Sequence, residues 1–173
     1  VNWSIADNTN FETTVYLETL SNGKAGIILR DANVTNNLNG GRPCYYLYLL
    51  KPDNKIRLDI RASSSTNVTN LLEISNPSSS GIWFNFKKVG TSLIARISTS
   101  TKSAVGIQDW TTIYTSSSTG LINYVNFSRG IIVASGSTTT NNATFSNWKI
   151  NNIVTPPITI PVPVIASSVN PFV

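Results

Sequence analysis

The chain has 173 residues, with 13 Lys and Arg, 8 Asp and Glu, no histidine and one cysteine. That length can bury the core of a single β-sandwich, while the composition excludes an internal disulfide, a histidine-activated nucleophile and a nitrogen/sulfur metal centre. Only 12% of the residues are charged and the net charge is +5, so solubility rests on Ser, Thr and Asn, a composition expected of extracellular, virion-surface or cell-surface proteins.

Basic character favours anionic partners such as acidic polysaccharide. Lys and Arg are scattered and no basic stripe interleaves with stacking aromatics, so nucleic acid is not expected as a partner. The longest apolar run, Cys44 to Leu50, is far too short to span a bilayer. Cys44 within it reads as a buried small hydrophobe. A start at Val1 and the lack of methionine read as a processed product or a piece of a longer polypeptide.

Apolar and polar residues alternate along most of the chain and turn residues punctuate them about every 8–12 positions, which predicts an all-β fold. In order, strands are predicted at Phe11 to Glu18, Ala25 to Asp31, Cys44 to Leu50, Lys55 to Ala62, Leu71 to Ser75, Ile82 to Lys88, Ser92 to Ser98, Thr111 to Thr115, Ile131 to Ser135 and Ala143 to Ile150. Polar stretches rich in Gly, Asn, Ser and Thr at 33–41, 63–69, 98–103 and 135–142 read as loops. Trp3 and Trp148 are expected to cap the domain where the first and last strands meet. From 155 the chain reads Thr-Pro-Pro-Ile-Thr-Ile-Pro-Val-Pro-Val, where prolines deny ladder hydrogen bonds. The division expected is therefore a domain at 1–153 followed by a Pro-rich linker or docking arm at 154–173, the arm being a means of holding neighbouring subunits.

Two hairpins define the sheet faces. Around the turn Lys51-Pro52-Asp53-Asn54-Lys55, Pro presets a type I turn and Asn supplies a left-handed residue. Pairing Leu50 with Ile56 then puts Tyr46, Tyr48 and Leu50 with Ile56, Leu58 and Ile60 on the apolar face, and Tyr45, Leu47 and Leu49 with Arg57, Asp59 and Arg61 on the open one. In the second hairpin, a loop at 88–91 pairs Lys87 with Ser92. Ile82, Phe84 and Phe86 with Leu93, Ala95 and Ile97 are then core, while Trp83 meets Arg96 on the other face, as a cation-π pair or a sugar platform.

These marks resemble the concanavalin A-like lectin/glucanase superfamily, in particular its laminin-G-like and bacterial β-jelly-roll branches. The matching segments are Ala25-Gly26-Ile27-Ile28-Leu29-Arg30-Asp31, the hairpin from Trp83 to Gly90 with its returning Leu93-Ile94-Ala95-Arg96, Gly130-Ile131-Ile132-Val133, and Ala143-Thr144-Phe145-Ser146-Asn147-Trp148-Lys149-Ile150. They run in order over about residues 10 to 150. The resemblance implies a two-sheet antiparallel jelly roll that holds carbohydrate, sometimes beside calcium, and whose glucanases carry a Glu-x-Asp-x-Glu strand. That triplet is not in this sequence, and Asp59 between Arg57 and Arg61 is expected to be ionised and paired. Glycosidase activity is therefore not expected.

The expected function is a non-catalytic carbohydrate-binding, adhesive module, with Trp83, Tyr45, Arg57, Asp59, Arg61 and Arg96 on the open sheet face and Trp110 at a loop–strand junction as stacking and hydrogen-bonding residues. The alternative is a structural subunit of a virion surface, fibre or extracellular appendage held partly by the C-terminal arm. No cofactor is expected; Asp31 and Asn33 open a polar stretch that is a weak Ca²⁺ candidate, lacking the Gly and Glu of an EF-hand loop. Sequons at Asn2, Asn33, Asn67, Asn126 and Asn142 are candidate N-glycosylation sites.

Overall fold

The computed structural model describes residues 3–6, 10–31, 44–51, 53–61, 68–90, 92–116, 127–134 and 142–152, the side chains of 3–6, 31, 127 and 152 excepted. These residues form eleven strands: β1 Trp3–Ala6, β2 Phe11–Leu20, β3 Gly23–Asp31, β4 Cys44–Lys51, β5 Lys55–Arg61, β6 Val68–Ser75, β7 Ile82–Val89, β8 Ser92–Ser98, β9 Thr111–Ser116, β10 Phe127–Ala134 and β11 Ala143–Asn152. Antiparallel pairing builds a six-stranded sheet, β1-β10-β3-β4-β5-β6, and a five-stranded sheet, β11-β2-β7-β8-β9. The ten predicted strands are present and β1 is added. Because β1 and β11 are edge strands of different sheets, the first and last strands do not pair as the reading of Trp3 and Trp148 required. Trp148 is half-buried against the core, and the Trp3 side chain lies outside the described residues.

The inner faces follow the period of two. Phe11, Val15 and Leu17 of β2, Ile82, Phe84 and Phe86 of β7, and Leu93, Ala95 and Ile97 of β8 pack against Ala25, Ile27 and Leu29 of β3, Tyr45, Leu47 and Leu49 of β4, and Ile56 and Leu58 of β5. Each fully buried Leu, Ile or Phe contributes about 1.5–3 kcal/mol. This apolar layer is what holds one sheet on the other.

The β4–β5 hairpin departs from its predicted register by one residue: Leu50 pairs with Lys55, Leu47 with Leu58 and Tyr45 with Ile60. A one-residue slip exchanges the faces of a strand, so Tyr45 points into the core while Tyr46 and Tyr48 lie on the outer face of the sheet, where Tyr48 is nonetheless buried by its neighbours. Burial pushes the Tyr45 hydroxyl up to about 12. Asn54 does take the left-handed conformation, at φ 52°, in a loop one residue shorter than expected. The β7–β8 hairpin differs by two residues, with Val89 opposite Ser92 and Phe86 opposite Ala95. An even shift keeps every side chain on its predicted face. Gly90, at φ +57°, supplies the left-handed turn that so short a loop demands, and its N–H donates to Asn10 Oδ1 at 2.7 Å.

At Gly26 the β3 and β4 backbones come so close that a Cβ would lie 2.1 Å from the Leu47 carbonyl oxygen and 2.5 Å from Tyr48 Cα. Arg129 of β10 faces inward at 0% exposure, its guanidinium 4.1 Å from the Phe11 ring centroid. Its three nitrogens have no hydrogen-bond partner among the described residues, and burial brings its pKa down to about 10. The Pro-rich segment from 154, on which the subunit-arm reading rests, lies outside the described residues.

Candidate functional site

The outward-facing residues of the five-stranded sheet form two rows, polar except for Ile94. One runs through Asn151, Glu12, Lys87 and Ile94, and the other through Lys149, Thr14, Asn85 and Arg96, each set by the registers of β11–β2, β2–β7 and β7–β8. One extra residue between Ser146 and Lys149, with Asn147 at φ 54°, turns Trp148 toward the core and leaves Lys149 outside. Without that bulge the alternation would put Lys149 on the inner face.

Residues 99–110, linking β8 to β9, lie across this face. The Trp83 indole N–H donates to the carbonyls of Ser100 at 3.0 Å and Thr101 at 3.1 Å, and its ring lies 5.0 Å from that of Tyr16. Lys102 pairs with Glu18 at 2.6 Å, Asn147 Nδ2 donates to the Lys102 carbonyl at 2.9 Å, and the Asp109 N–H donates to Ser100 Oγ at 3.0 Å. Trp83, predicted on an open face, is consequently 0% exposed. Its strand parity is as predicted, but the loop covers it, so it is a structural anchor and not a platform.

Beside this covered part a pocket of about 350 Å³ stays open, lined by Glu12, Thr14, Lys87, Arg96, Gly106, Gln108, Trp110, Lys149 and Asn151. Arg96 is locked within it. Its Nη2 meets Glu12 Oε1 at 2.5 Å, its Nε donates to Asn85 Oδ1 at 2.9 Å, and its guanidinium carbon lies 5.0 Å from the Trp110 ring centroid. Asn85 in turn donates to Glu12 Oε1 at 2.9 Å and Thr14 Oγ1 at 2.8 Å. The planar cation is thus oriented before any ligand arrives, which lowers the entropic cost of binding. A larger recess of about 450 Å³, lined among others by Leu17, Leu49, Asn54, Asn76 and Ser78, carries no aromatic side chain among the described residues.

The predicted binding residues fall into three places. Arg96 and Trp110 come together in this pocket; Trp83 and Tyr45 are buried. Arg57, Asp59 and Arg61 lie on the outer face of the other sheet, across the whole sandwich, so the set cannot make one site. On that face the polar groups satisfy one another. Tyr48 Oη donates to Asp59 Oδ2 at 2.5 Å and Asn70 Nδ2 to Asp59 Oδ1 at 2.8 Å, while Glu73 takes Arg57 at 2.5 Å and Lys55 at 3.3 Å. Lys24 lies 5.2 Å from the Tyr48 ring centroid. Burial, then the bond to Asp59, pushes the Tyr48 hydroxyl well above its usual range.

As site residues, the reading from sequence missed Glu12, Lys87, Lys149, Asn151 and Gln108. Glu12 was findable as an outward position of a predicted strand, whereas Lys149 depends on the bulge. Among the described residues no group of three or more acids, Cys or His could hold a metal ion. The Asp31 side chain and Asn33 lie outside the described residues, as do Asn2, Asn33, Asn67 and Asn126 of the sequons; Asn142 is exposed. Among the described residues no helix is long and apolar enough to cross a membrane.

No family model matches the chain, and no curated protein matches it. Solved structures do. One, of a functionally unknown protein from Saccharomyces cerevisiae, aligns with a TM-score of 0.58 at 11% identity over 87% of this chain and 74% of that one. Sheep galectin-11, in complex with glycerol, aligns with a TM-score of 0.53 at 6% identity over 87% of this chain and 96% of the galectin. At these identities the likeness is one of fold: a two-sheet antiparallel β-sandwich shared with a galectin.

Proposed function

We propose that this chain is a non-catalytic saccharide-binding β-sandwich module of a secreted or surface-exposed protein, and that the pocket beneath Trp110 is its site. The observation that carries the reading is the half-buried indole packed over a guanidinium that Glu12 and Asn85 hold rigid. An aromatic surface suits the C–H face of a sugar ring, and fixed charged and amide groups suit its hydroxyls. The fold shared with a galectin supports it at the level of architecture. The surface expected from the Ser/Thr/Asn-rich, weakly charged sequence supports the location.

A non-catalytic role fits Glu12, the one carboxylate among the described residues that line the pocket, which is already paired with Arg96. Glycosidases of the usual kind need two carboxylates flanking the scissile bond. The test is a glycan array followed by calorimetry on the best binder, with wild type and Trp110→Ala. Binding by wild type, with loss in a variant that still melts cooperatively, is expected. Equal binding by Trp110→Ala would remove this pocket from consideration.

A further inference from the structure

We propose that the saccharide bound in this pocket bears an acidic group, a uronate carboxylate or a sulfate, gripped by Lys87 and Lys149; this rests on the reading of the pocket as a sugar site. Among the described residues, three cations line the pocket against one carboxylate. Glu12 is committed to Arg96, so two positive charges remain uncompensated. Lys87 and Lys149 belong to β7 and β11, which flank β2 on either side, and neither has a carboxylate within 4.0 Å among the described residues. Other lysines are engaged: Lys55 with Glu73, Lys102 with Glu18, Lys51 with Asn54 and Lys24 against Tyr46 and Tyr48.

The geometry suits an oxyanion. Lys149 stands level with Thr14 and Lys87 level with Glu12, so the two lie diagonally across β2, two strand spacings and two residues apart, roughly 12 Å at the backbone, a span that two long lysine side chains bridge by leaning toward each other over Glu12 and Thr14. With Arg96 they crowd three like charges onto one face, a repulsion that an entering anion relieves. A neutral sugar would leave that repulsion in place. Trp110 would take the ring and the lysines its acidic substituent, so stacking and charge make separable contributions.

The experiment is an array carrying uronate-bearing, sulfated and neutral glycans, probed with wild type, Lys87→Gln/Lys149→Gln and Trp110→Ala at about 50 and about 300 mM NaCl. Acidic glycans are expected to bind wild type. The double lysine variant should weaken them at least about tenfold, as the loss of a charge-assisted hydrogen bond does, and salt should weaken wild type more than that variant. The uronate and sulfate arms identify which group is recognised. Neutral glycans bound as well as acidic ones, or acidic binding untouched by the lysine changes, would overturn the inference while leaving a sugar site standing. An array with no binder of any kind would overturn both.

Discussion

Trp83→Ala separates the structural indole from the binding one. The ring is fully buried, and an aromatic side chain buries about 150–250 Å², which at roughly 25 cal/mol per Å² is about 4–6 kcal/mol. Large aromatic truncations cost about 3–5 kcal/mol; we take about 4. The variant also strips the N–H that holds the Ser100 and Thr101 carbonyls, so the 99–110 segment loses its anchor. For a chain of this size about 2–4 °C is lost per kcal/mol, giving a drop of about 8–16 °C. Trp110→Ala, by contrast, removes a partly exposed ring and one cation-π contact of about 0.5–1 kcal/mol, a drop of about 1–4 °C. Calorimetric melting of both, with near-ultraviolet circular dichroism to confirm packing, is the assay. Trp83→Ala melting within about 2 °C of wild type would refute the argument, since the ring would then contribute no packing.

Three further outcomes are expected. Gly26→Ala should destabilise by about 3 kcal/mol, the upper end for overpacking, because its Cβ would meet the Leu47 and Tyr48 backbone; unchanged urea denaturation would refute the close approach. Lys102, through its hydrogen bond, holds the Glu18 carboxyl below its ordinary value of 4.5. A depressed folded value means that the tether's contribution is complete above pH 4.5 and is lost as pH falls from there through the folded value. Tryptophan fluorescence should therefore report a transition below pH 4.5 that Glu18→Gln removes, and an identical transition in that variant would exclude the tether. Cys44 is buried, and burial raises its thiol pKa. It should react with a thiol reagent only after denaturant is added, and rapid native labelling would contradict its burial.

How much of the molecule was legible in the sequence depended on how sharply each strand alternates. From 82 to 98 one parity of each strand is apolar throughout, Ile82, Phe84 and Phe86 against Leu93, Ala95 and Ile97, and both strands and their faces were readable despite a two-residue error in register, because side-chain direction repeats every two residues. From 44 to 50 nearly every residue is apolar or aromatic, so either face could be buried. Only the pairing of Tyr48 with Asp59, and of Leu47 with Ile27 and Leu58, settles that Tyr45 goes inside. The sequence by itself determined an all-β chain, the faces of the β7–β8 hairpin and a buried lone cysteine, since these follow from local chemistry and period. It could not show that β2 sits between β11 and β7, which brings Glu12, Lys87 and Lys149 into one pocket. Nor could it show that residues 99–110 fold over Trp83. Both are contacts between segments far apart in the chain, and only the tertiary structure decides them, because the energy that selects them comes from packing whole elements together.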